Sequence, residues 1–252
     1  MHGERRAMLG LLVLAGLLAV LPARAEDTAH SCEVPAYLLT TESALPKVAA
    51  GIKADQKLDI LVVGSRSSTI NTAEAAAWPG RLEATLREKL PGVKVNINVE
   101  LQMKKTAEEV AAGLSKLVAE RKPTLVIWQT GTVDALRSID PDDFRVGVDE
   151  GVAALQTAGT DAVLMNLQYS PRTETMISVN PYLDNMRLVA QQHDVPLFDR
   201  FAVMRHWNEA GDFDLFSTSH GVDLAKRVHD CLGRALSTFL IDAAHVGPAP
   251  QN

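Results

Sequence analysis

Cysteine, clusters of basic residues and long apolar runs are all scarce in this chain of 252 residues. The two cysteines, Cys32 and Cys231, have neither CxxC spacing nor a histidine at ligand spacing, which argues against a metal or thiol centre. Acidic residues outnumber basic ones by 31 to 25, and no basic patch points to nucleic acid. Neither a glycine-rich phosphate loop nor a dinucleotide fingerprint occurs. We therefore expect no cofactor, no metal ion and no nucleic-acid partner.

The N-terminus carries the pattern of an export signal. Arg5 and Arg6 precede an apolar run over residues 8–21, and residues 23–25 are Ala-Arg-Ala. A basic start, a short apolar core and small residues at the cleavage site are typical of a secretory signal peptide. The run is shorter than the roughly 20 residues that span a bilayer. We predict cleavage after Ala25 and a periplasmic or secreted protein without stable membrane insertion; an uncleaved anchor is the alternative.

The predicted export also bears on the oxidation state of the two cysteines. Export places Cys32 and Cys231 in an oxidising environment, where a disulfide between the start of the mature chain and its last helix is expected. Such a bridge closes a loop of roughly 200 residues and contributes at most about 5 kcal/mol through chain entropy. A pair of buried free thiols is the alternative.

Apolar and amphipathic segments alternate along the rest of the chain. Strands are predicted at residues 57–64, 93–101, 124–129, 161–167 and 195–198. Amphipathic helices are predicted between and after them, two of which begin at the capping residues Thr106 and Asp140. This alternation predicts an α/β fold, in which a doubly wound, flavodoxin-like sheet of five parallel strands carries helices on both faces.

The same pattern divides the mature chain into three parts. Residues 26–55 are expected to form an extension packed on the domain, with a helix near residues 45–52. Residues 56–243 are predicted to form one α/β domain with a substantial core. Residues 244–252, which include a glycine and two prolines, are expected to be a disordered tail.

The first predicted strand ends at Gly64 and is followed by a cluster of hydroxyl groups. These belong to Ser65, Ser67, Ser68 and Thr69. Ligands of parallel α/β sheets bind at the carboxyl ends of the strands, so this turn is where a nucleophilic serine is expected. Capping of the turn by the same hydroxyls is the alternative.

Four short motifs occur in a fixed order along the predicted sheet. They are Gly-Ser-Arg-Ser-Ser-Thr at 64–69, Trp-Pro-Gly-Arg-Leu at 78–82, Gln-Thr-Gly-Thr-Val-Asp at 129–134 and Ser-Thr-Ser-His-Gly at 217–221. In order and spacing the chain resembles the SGNH, or GDSL-type, hydrolases and looks like a divergent exported bacterial member. The resemblance implies a serine nucleophile, a histidine base oriented by an aspartate, and preorganised donors for the oxyanion.

The resemblance places Ser67 at the nucleophile position when the register is anchored on the last three residues of the first motif. Ser65 is the alternative nucleophile. A register anchored on Gly64 instead puts Arg66 at that position and leaves no nucleophile.

The fourth motif implies that His220 is the catalytic base. Ser217 stands three residues earlier, where the family has the aspartate of its Asp-x-x-His pattern. Asp214 is therefore the expected orienting carboxylate, and Asp223 is the alternative. An exposed loop histidine without a catalytic role is the alternative for His220.

The third motif implies the oxyanion donors. Gly131 can supply a backbone amide and Thr132 a hydroxyl, whereas Val133 stands where the family has an asparagine and cannot donate. Gln129 is expected to point from the end of the third strand toward the cleft, where it can contact oxyanion or substrate. Asp134 is expected to cap the short helix that follows.

Other polar groups are expected at the same edge of the sheet. No glycine follows the second strand, so Lys104 or Lys105 can supply positive charge to an oxyanion, or the loop is simply basic. Residues 166–172 follow the fourth strand and are expected to contact substrate or to form a turn. His206 and His229 lie on predicted helices and are expected to be surface or packing residues.

Two classes of function fit these observations. The first is an exported ester hydrolase, a serine esterase or deacylase that acts on a small or carbohydrate-linked acyl ester. The second is a catalytically inactive protein of the same fold that binds a periplasmic ligand or polymer. An accessory subunit of an assembly is a third alternative, and it would carry an exposed apolar patch away from the cleft.

Overall fold

A five-stranded parallel sheet forms the centre of the molecule. The computed structural model describes residues 32–71, 73–216 and 221–246. The strands are β1 Lys57–Gly64, β2 Lys94–Leu101, β3 Leu125–Gln129, β4 Asp161–Met165 and β5 Leu197–Phe198. They lie in the order β2-β1-β3-β4-β5, and every neighbouring pair is parallel. The fold class predicted from the sequence is confirmed.

Two layers of helices enclose this sheet. The α-helices of the described ranges are α1 Pro46–Ala50, α2 Trp78–Lys89, α3 Ala107–Arg121, α4 Thr132–Leu136, α5 Pro141–Thr157, α6 Pro171–Met176, α7 Asn180–Gln192, α8 Arg200–Glu209 and α9 Gly221–Ala243. A π-helical turn, Gly51–Asp55, continues α1. Helix α2 packs against α9, while α5 packs against both α3 and α7. Within the described ranges, no helix is long and apolar enough to cross a membrane.

The burial of each strand explains its composition. Strands β3 and β4 are buried along their whole length, and β1 is buried from Ile60 onward, so they consist almost entirely of apolar residues. Strand β2 lies at the edge of the sheet, and its carboxyl half leaves Val99 and Leu101 partly exposed. The alternating apolar side chains predicted for β2 are therefore fully buried only at Val95.

Local capping signals set the starts of two long helices. The Thr106 hydroxyl accepts from the Glu109 amide, and the Glu109 carboxylate accepts in return from the Thr106 amide. Asp140 caps the first turn of α5, where Pro141 occupies the first position. Both predicted starts are confirmed. The short helix α6 was not predicted; Ser170 caps it by accepting from the Thr173 amide.

A glycine permits close packing between α5 and the sheet. A Cβ atom added at Gly151 would lie 2.2 Å from the ring of Trp128 on β3. Trp128 is fully buried, as expected from its place on the central strand. The absence of a side chain at Gly151 therefore lets this helix cover the indole directly.

The segment before β1 is attached to the domain at several points. Cys32 forms a disulfide with Cys231 of α9, 199 residues later, which confirms the predicted pairing. The Leu45 amide donates to the Ala243 carbonyl, and Leu45 itself is buried. The carboxylate of Asp161, at the amino end of β4, accepts hydrogen bonds from two backbone amides of α1.

Several sequence predictions fall outside the described residues. These are the signal peptide over residues 1–25, most of the predicted tail over residues 244–252, and the loop that contains Ser217 and His220. They remain predictions.

Candidate functional site

The hydroxyl-rich turn after β1 is compact and held from within. Arg66–Ser68 forms one 3-10 turn, closed by a hydrogen bond from the Ser68 amide to the Ser65 carbonyl. Ser68 is buried against Gly64, where an added Cβ atom would lie 2.2 Å from the Ser68 hydroxyl. Ser65 and Ser67 are only partly buried. The turn thus directs one serine into the protein and leaves two at the carboxyl edge of the sheet.

Gln129, the last residue of β3, joins the three serines through its amide. Its Nε2 donates to the Oγ atoms of Ser67 at 2.6 Å and Ser65 at 3.2 Å. Its Oε1 accepts from the Ser68 hydroxyl at 2.7 Å. The geometry supports the expectation that Gln129 faces the cleft, and it fixes the orientation of the serine hydroxyls.

A buried arginine lies behind Ser67. Arg200, the first residue of α8, has no exposed surface. Its Nη1 lies 3.2 Å from the Ser67 Oγ, and its Nη2 lies 3.2 Å from both the Ser67 carbonyl oxygen and the Gln168 Oε1. Its Nε is buried and has no partner among the described residues. Burial lowers the pKa of Arg200 to about 9, so the guanidinium remains charged at neutral pH.

No described carboxylate neutralises this arginine. The neighbouring Asp199 is committed elsewhere, because it accepts from Asn166, from the Ala202 amide and from Arg187. Asn166 in turn accepts from the Phe201 amide, so it supports the start of α8. In the loop after β4, Asn166 thus has a structural role and Gln168 contacts Arg200, while substrate contact by this loop stays a prediction.

A neutral histidine lies close to the same charge. His229 Nδ1, on α9, accepts a hydrogen bond of 2.9 Å from the Trp78 amide at the start of α2. Burial, together with the nearby charge of Arg200, lowers the pKa of His229 to about 3. The side chain is 7% exposed, in agreement with the prediction of a packing residue, and its δ nitrogen serves as an acceptor.

A small polar cavity adjoins the serine turn between β1 and β3. Ser65, Lys105, Gln129, Gly131 and Thr132 contribute to its walls, and its volume is about 20 Å³. That is room for one water-sized group. The Thr132 hydroxyl is buried without a partner among the residues described. Asp134 lines the cavity as well, and its Oδ2 is also buried without a partner among these residues, so a hydroxyl and a carboxyl oxygen are both unpartnered here.

Asp134 has a partner beyond those predicted. It lies within α4, and its Oδ1 accepts from the Ala107 amide at the start of α3, 2.9 Å away. The predicted cap misses the main partner of this carboxyl, which is the Ala107 amide; the amides of Asp134 and Gly131, at the start of α4, contribute less. Burial raises its pKa, while backbone hydrogen bonds, foremost that of Ala107, act in the opposite direction.

A wider groove begins at the same turn and runs between β2 and α2. Its volume is about 400 Å³. Ser68 and Thr69 lie at one end, Ile97 forms part of one wall, and Glu74 and Glu83 are its acidic residues. The groove provides space for a small molecule beside the serine turn.

The structure brings together only some of the predicted site residues. Ser67 and Gln129 are in contact, and Gly131 and Thr132 line the adjoining cavity. Asp214 is exposed, and its Oδ1 accepts from the Phe216 amide. His220, the predicted base, lies outside the described residues. Among the residues that are described, no three His, Cys, Asp or Glu side chains gather as a metal site would require.

Arg200 and its partner Gln168 were not predicted as site residues. The one signal in the sequence is the position of Arg200, two residues after the end of β5 at the carboxyl edge of the sheet. An arginine that begins an amphipathic helix is ordinarily exposed, so the sequence alone does not show that this one is buried.

The sheet order, the serine turn at its carboxyl edge and the donors around it define an SGNH-type α/β fold. Solved structures share it: TesA is 20% identical, with 72% of this chain and 99% of that chain covered at a TM-score of 0.56. LAE5, an α/β hydrolase from the metagenome of Lake Arreo, Spain, is 17% identical, with coverages of 74% and 96% and a TM-score of 0.58. Axe2 from Geobacillus stearmophilus, in a mutant form, is 14% identical, with coverages of 77% and 97% and a TM-score of 0.57.

Sequence comparison identifies the family. The profile of the non-GDSL lipase-like family matches residues 31–246, and the chain belongs to that family. Among curated proteins, none matches the sequence. The predicted relationship to SGNH-type hydrolases is confirmed.

Proposed function

We propose that this protein is an exported serine esterase or deacylase that acts on a small or carbohydrate-linked acyl ester. The observation that carries the proposal is the environment of Ser67. Its Oγ lies at the carboxyl edge of the sheet and accepts hydrogen bonds from Gln129 and Arg200. A hydroxyl in that position, on a fold shared with ester hydrolases, is the best-placed nucleophile of the described residues.

The proposed reaction has two acyl-transfer steps. Ser67 Oγ gives its proton to the imidazole of His220 and bonds to the acyl carbon, while the carbonyl electron pair moves onto oxygen. Collapse breaks the ester C–O bond, and the imidazolium gives its proton to the leaving alcohol. Water then attacks the acyl-enzyme in the same way and releases the acid. Asp214 is the proposed orienting carboxylate for His220.

The small cavity is proposed as the oxyanion site. Thr132 offers a buried hydroxyl without a described partner, Lys105 lines the cavity with a positive charge, and the Gly131 amide is shared with the Asp134 carboxyl. Together these groups take the place of the family's asparagine, for which this chain has Val133. Preorganised donors at this point stabilise the charge that develops on the carbonyl oxygen.

The groove supports a substrate of modest size. About 400 Å³ suits a short acyl chain or one sugar unit, and the acidic residues Glu74 and Glu83 disfavour anionic substrates. The fold is shared with Axe2, an acetyl-xylooligosaccharide esterase, which supports a carbohydrate-linked acetyl group as the first substrate to test. The disulfide between Cys32 and Cys231 supports export to an oxidising compartment.

The test is hydrolysis of p-nitrophenyl acetate and an acetylated xylo-oligosaccharide by the mature protein. Ser67→Ala should lower kcat by at least about 1000-fold, because the nucleophile is removed. Ser65→Ala is the matched control: it removes a neighbouring hydroxyl with the same Gln129 contact and should keep most activity. Full activity of Ser67→Ala contradicts the proposal, and loss only in Ser65→Ala transfers the nucleophile to Ser65.

A binding protein without catalysis is the second candidate, favoured by Val133 and Ser217 at positions where the family has functional side chains. It predicts no hydrolysis by the wild type, together with saturable binding of the unhydrolysed acetylated oligosaccharide in calorimetry. Ser67→Ala should then leave turnover at the background rate and alter affinity only.

A further inference from the structure

We propose that Arg200 is a catalytic residue: its guanidinium donates to the Ser67 Oγ and stabilises the alkoxide form of that oxygen during attack. The inference deepens the proposed function and rests on it, since it takes Ser67 as the nucleophile. Nothing in the sequence motifs assigned a role to Arg200, and none of the residues implied by the resemblance carries a charge in this position.

The first argument is the cost of burying Arg200. A buried guanidinium is ordinarily paired with a carboxylate, because removing an isolated charge from water costs several kcal/mol. Arg200 is fully buried, and no carboxylate among the described residues pairs with it. Its partners are neutral oxygens of Ser67 and Gln168, and its Nε has none in the described ranges. An expensive charge held against a single hydroxyl points to function at that hydroxyl.

The second argument is the direction of the hydrogen bonds. The Ser67 Oγ accepts from Gln129 Nε2 at 2.6 Å and lies 3.2 Å from Arg200 Nη1. Both of these groups are donors, since a guanidinium has no acceptor and Gln129 Oε1 is occupied by Ser68. A third neighbour, the Ser65 Oγ at 3.4 Å, can accept the proton of the Ser67 hydroxyl. Both lone pairs of the neutral hydroxyl are thus occupied. Loss of the Ser67 proton creates a third lone pair, which is free to attack, while the two donors remain in place.

The third argument is the backbone anchor. Arg200 Nη2 donates to the carbonyl of Ser67 itself, 3.2 Å away, so the same guanidinium fixes both the main chain and the side chain of this residue. Gln168 holds Nη2 from the other side. The positive charge of Arg200 therefore remains next to the Ser67 Oγ throughout the reaction. The guanidinium neither gives nor takes a proton in the proposed step, and the proton of Ser67 still passes to the base.

The other ionisable groups near Arg200 do not cancel its charge. His229 on α9 is neutral above acidic pH, since burial and Arg200 hold its pKa at about 3. Asp199, the residue before Arg200, accepts hydrogen bonds from Arg187 and Asn166 instead. Neither His229 nor Asp199 therefore neutralises the charge of Arg200 beside the Ser67 Oγ.

A direct test replaces the hydroxyl by a group whose ionisation can be measured. The two cysteines of the chain are bonded to each other, so the Ser67→Cys variant has a single free thiol. Its thiol pKa is read from thiolate absorbance and from the pH dependence of alkylation by iodoacetamide. With Arg200 present we expect a pKa at least about one unit below the ordinary value of about 8.5. Adding Arg200→Gln should raise it by a similar amount.

Two further variants control for charge and position. Arg200→Lys in the Ser67→Cys background keeps the charge without the forked donors and should give an intermediate pKa. Arg205→Gln, on the exposed side of the same helix, removes a charge that does not contact Ser67 and should leave the pKa unchanged. In the protein with the native serine, Arg200→Gln should lower kcat on p-nitrophenyl acetate by about 100-fold.

The outcomes separate this inference from the proposed function. A wild type that hydrolyses no ester defeats the proposed function, whereas the thiol titration still decides whether Arg200 charges the Ser67 position. Equal thiol pKa values with and without Arg200 overturn the inference. Failure of Arg200→Gln to fold also overturns it, because the residue is then required for the structure.

Discussion

The two ends of the sheet differ in how a buried charged side chain is hydrogen-bonded. At the amino end, Asp161 accepts from the amides of Lys47 and Val48, so its carboxylate caps α1 and is well satisfied. At the carboxyl end, Arg200 has only neutral partners and one unpartnered nitrogen among the described residues. The buried carboxylate thus stabilises a helix at one end of the sheet, whereas the more deeply buried guanidinium lies without a described counter-ion at the other end, beside the candidate site.

The largest expected effect is that of low pH on the free energy of unfolding, to which His229 near the carboxyl end and Asp161 at the amino end contribute with opposite signs. His229 has a folded-state pKa of about 3 against 6.5 when exposed, so the folded state resists protonation. Its contribution is fully present above pH 6.5 and is lost as pH falls toward 3, up to about 4 kcal/mol. Burial raises the pKa of Asp161, which therefore gives a contribution of the opposite sign, greatest at low pH. Urea unfolding between pH 7 and pH 3.5 measures the sum.

The His229→Gln variant isolates one part of that sum. It should unfold with a smaller loss of stability at low pH than the wild type. His206→Gln, on α8, is the matched control for loss of a histidine. An acid dependence that is unchanged in His229→Gln would show that this imidazole is not responsible.

Asp161→Ala should cause the next largest change. It leaves one buried and one partly buried amide of α1 without an acceptor, so the free energy of unfolding should fall by about 2 kcal/mol. Asp161→Asn keeps one acceptor oxygen and should cost less. Denaturant unfolding at pH 7 gives both values, and esterase activity of the folded fraction should be unaffected. A loss of activity per folded molecule would show that Asp161 affects the reaction as well as stability.

Thr132→Val should show the reverse pattern at the carboxyl end. Its hydroxyl is buried without a described partner, so replacing it should change the unfolding free energy by less than about 1 kcal/mol. Loss of an oxyanion donor should nevertheless lower kcat on p-nitrophenyl acetate by about 10- to 100-fold. Thr132→Ser keeps the hydroxyl and should recover most of the rate. Equal rates in the valine and serine variants would remove Thr132 from the proposed oxyanion site.

Arg200→Met is expected to have a small effect on stability, with an unusual sign. Because the charge has no described counter-ion, its removal should leave the unfolding free energy unchanged or raise it by about 1 kcal/mol. Thermal and urea unfolding of wild type, Arg200→Met and the surface control Arg205→Met give the comparison. A loss of several kcal/mol in Arg200→Met alone would make Arg200 a structural residue like Asp161.

Sequence was a good guide wherever local chemistry decides the structure. The continuous apolar run of β1 and the reciprocal caps of Thr106 and Glu109 are visible within a few residues, and both were predicted correctly. The Cys32–Cys231 pair followed from there being only two cysteines. Buried parallel strands and helix caps leave short, unambiguous patterns of this kind.

The candidate site was predicted only in part, because tertiary packing decides its other half. Gln129 was expected to face the cleft since it ends a central strand, and it does contact the serines. The main partner of Asp134 was not predicted because this partner, Ala107, is 27 residues away. Arg200 is separated from Ser67 by 133 residues, and no periodicity or motif connects them. Contacts over such distances depend on the sheet order, which brings β5 and its loop to the same edge.

The disulfide has a consequence for how the chain is made. Because synthesis runs from the N-terminus, Cys32 is complete while the 199 positions up to its partner are still to be added. Any chain released before Cys231 therefore carries an unpaired thiol, and only a full-length chain can lose it by pairing within itself. A thiol-reactive label applied during expression would therefore react with truncated molecules and not with oxidised full-length ones. The presence of the disulfide thus shows that synthesis has reached the last helix.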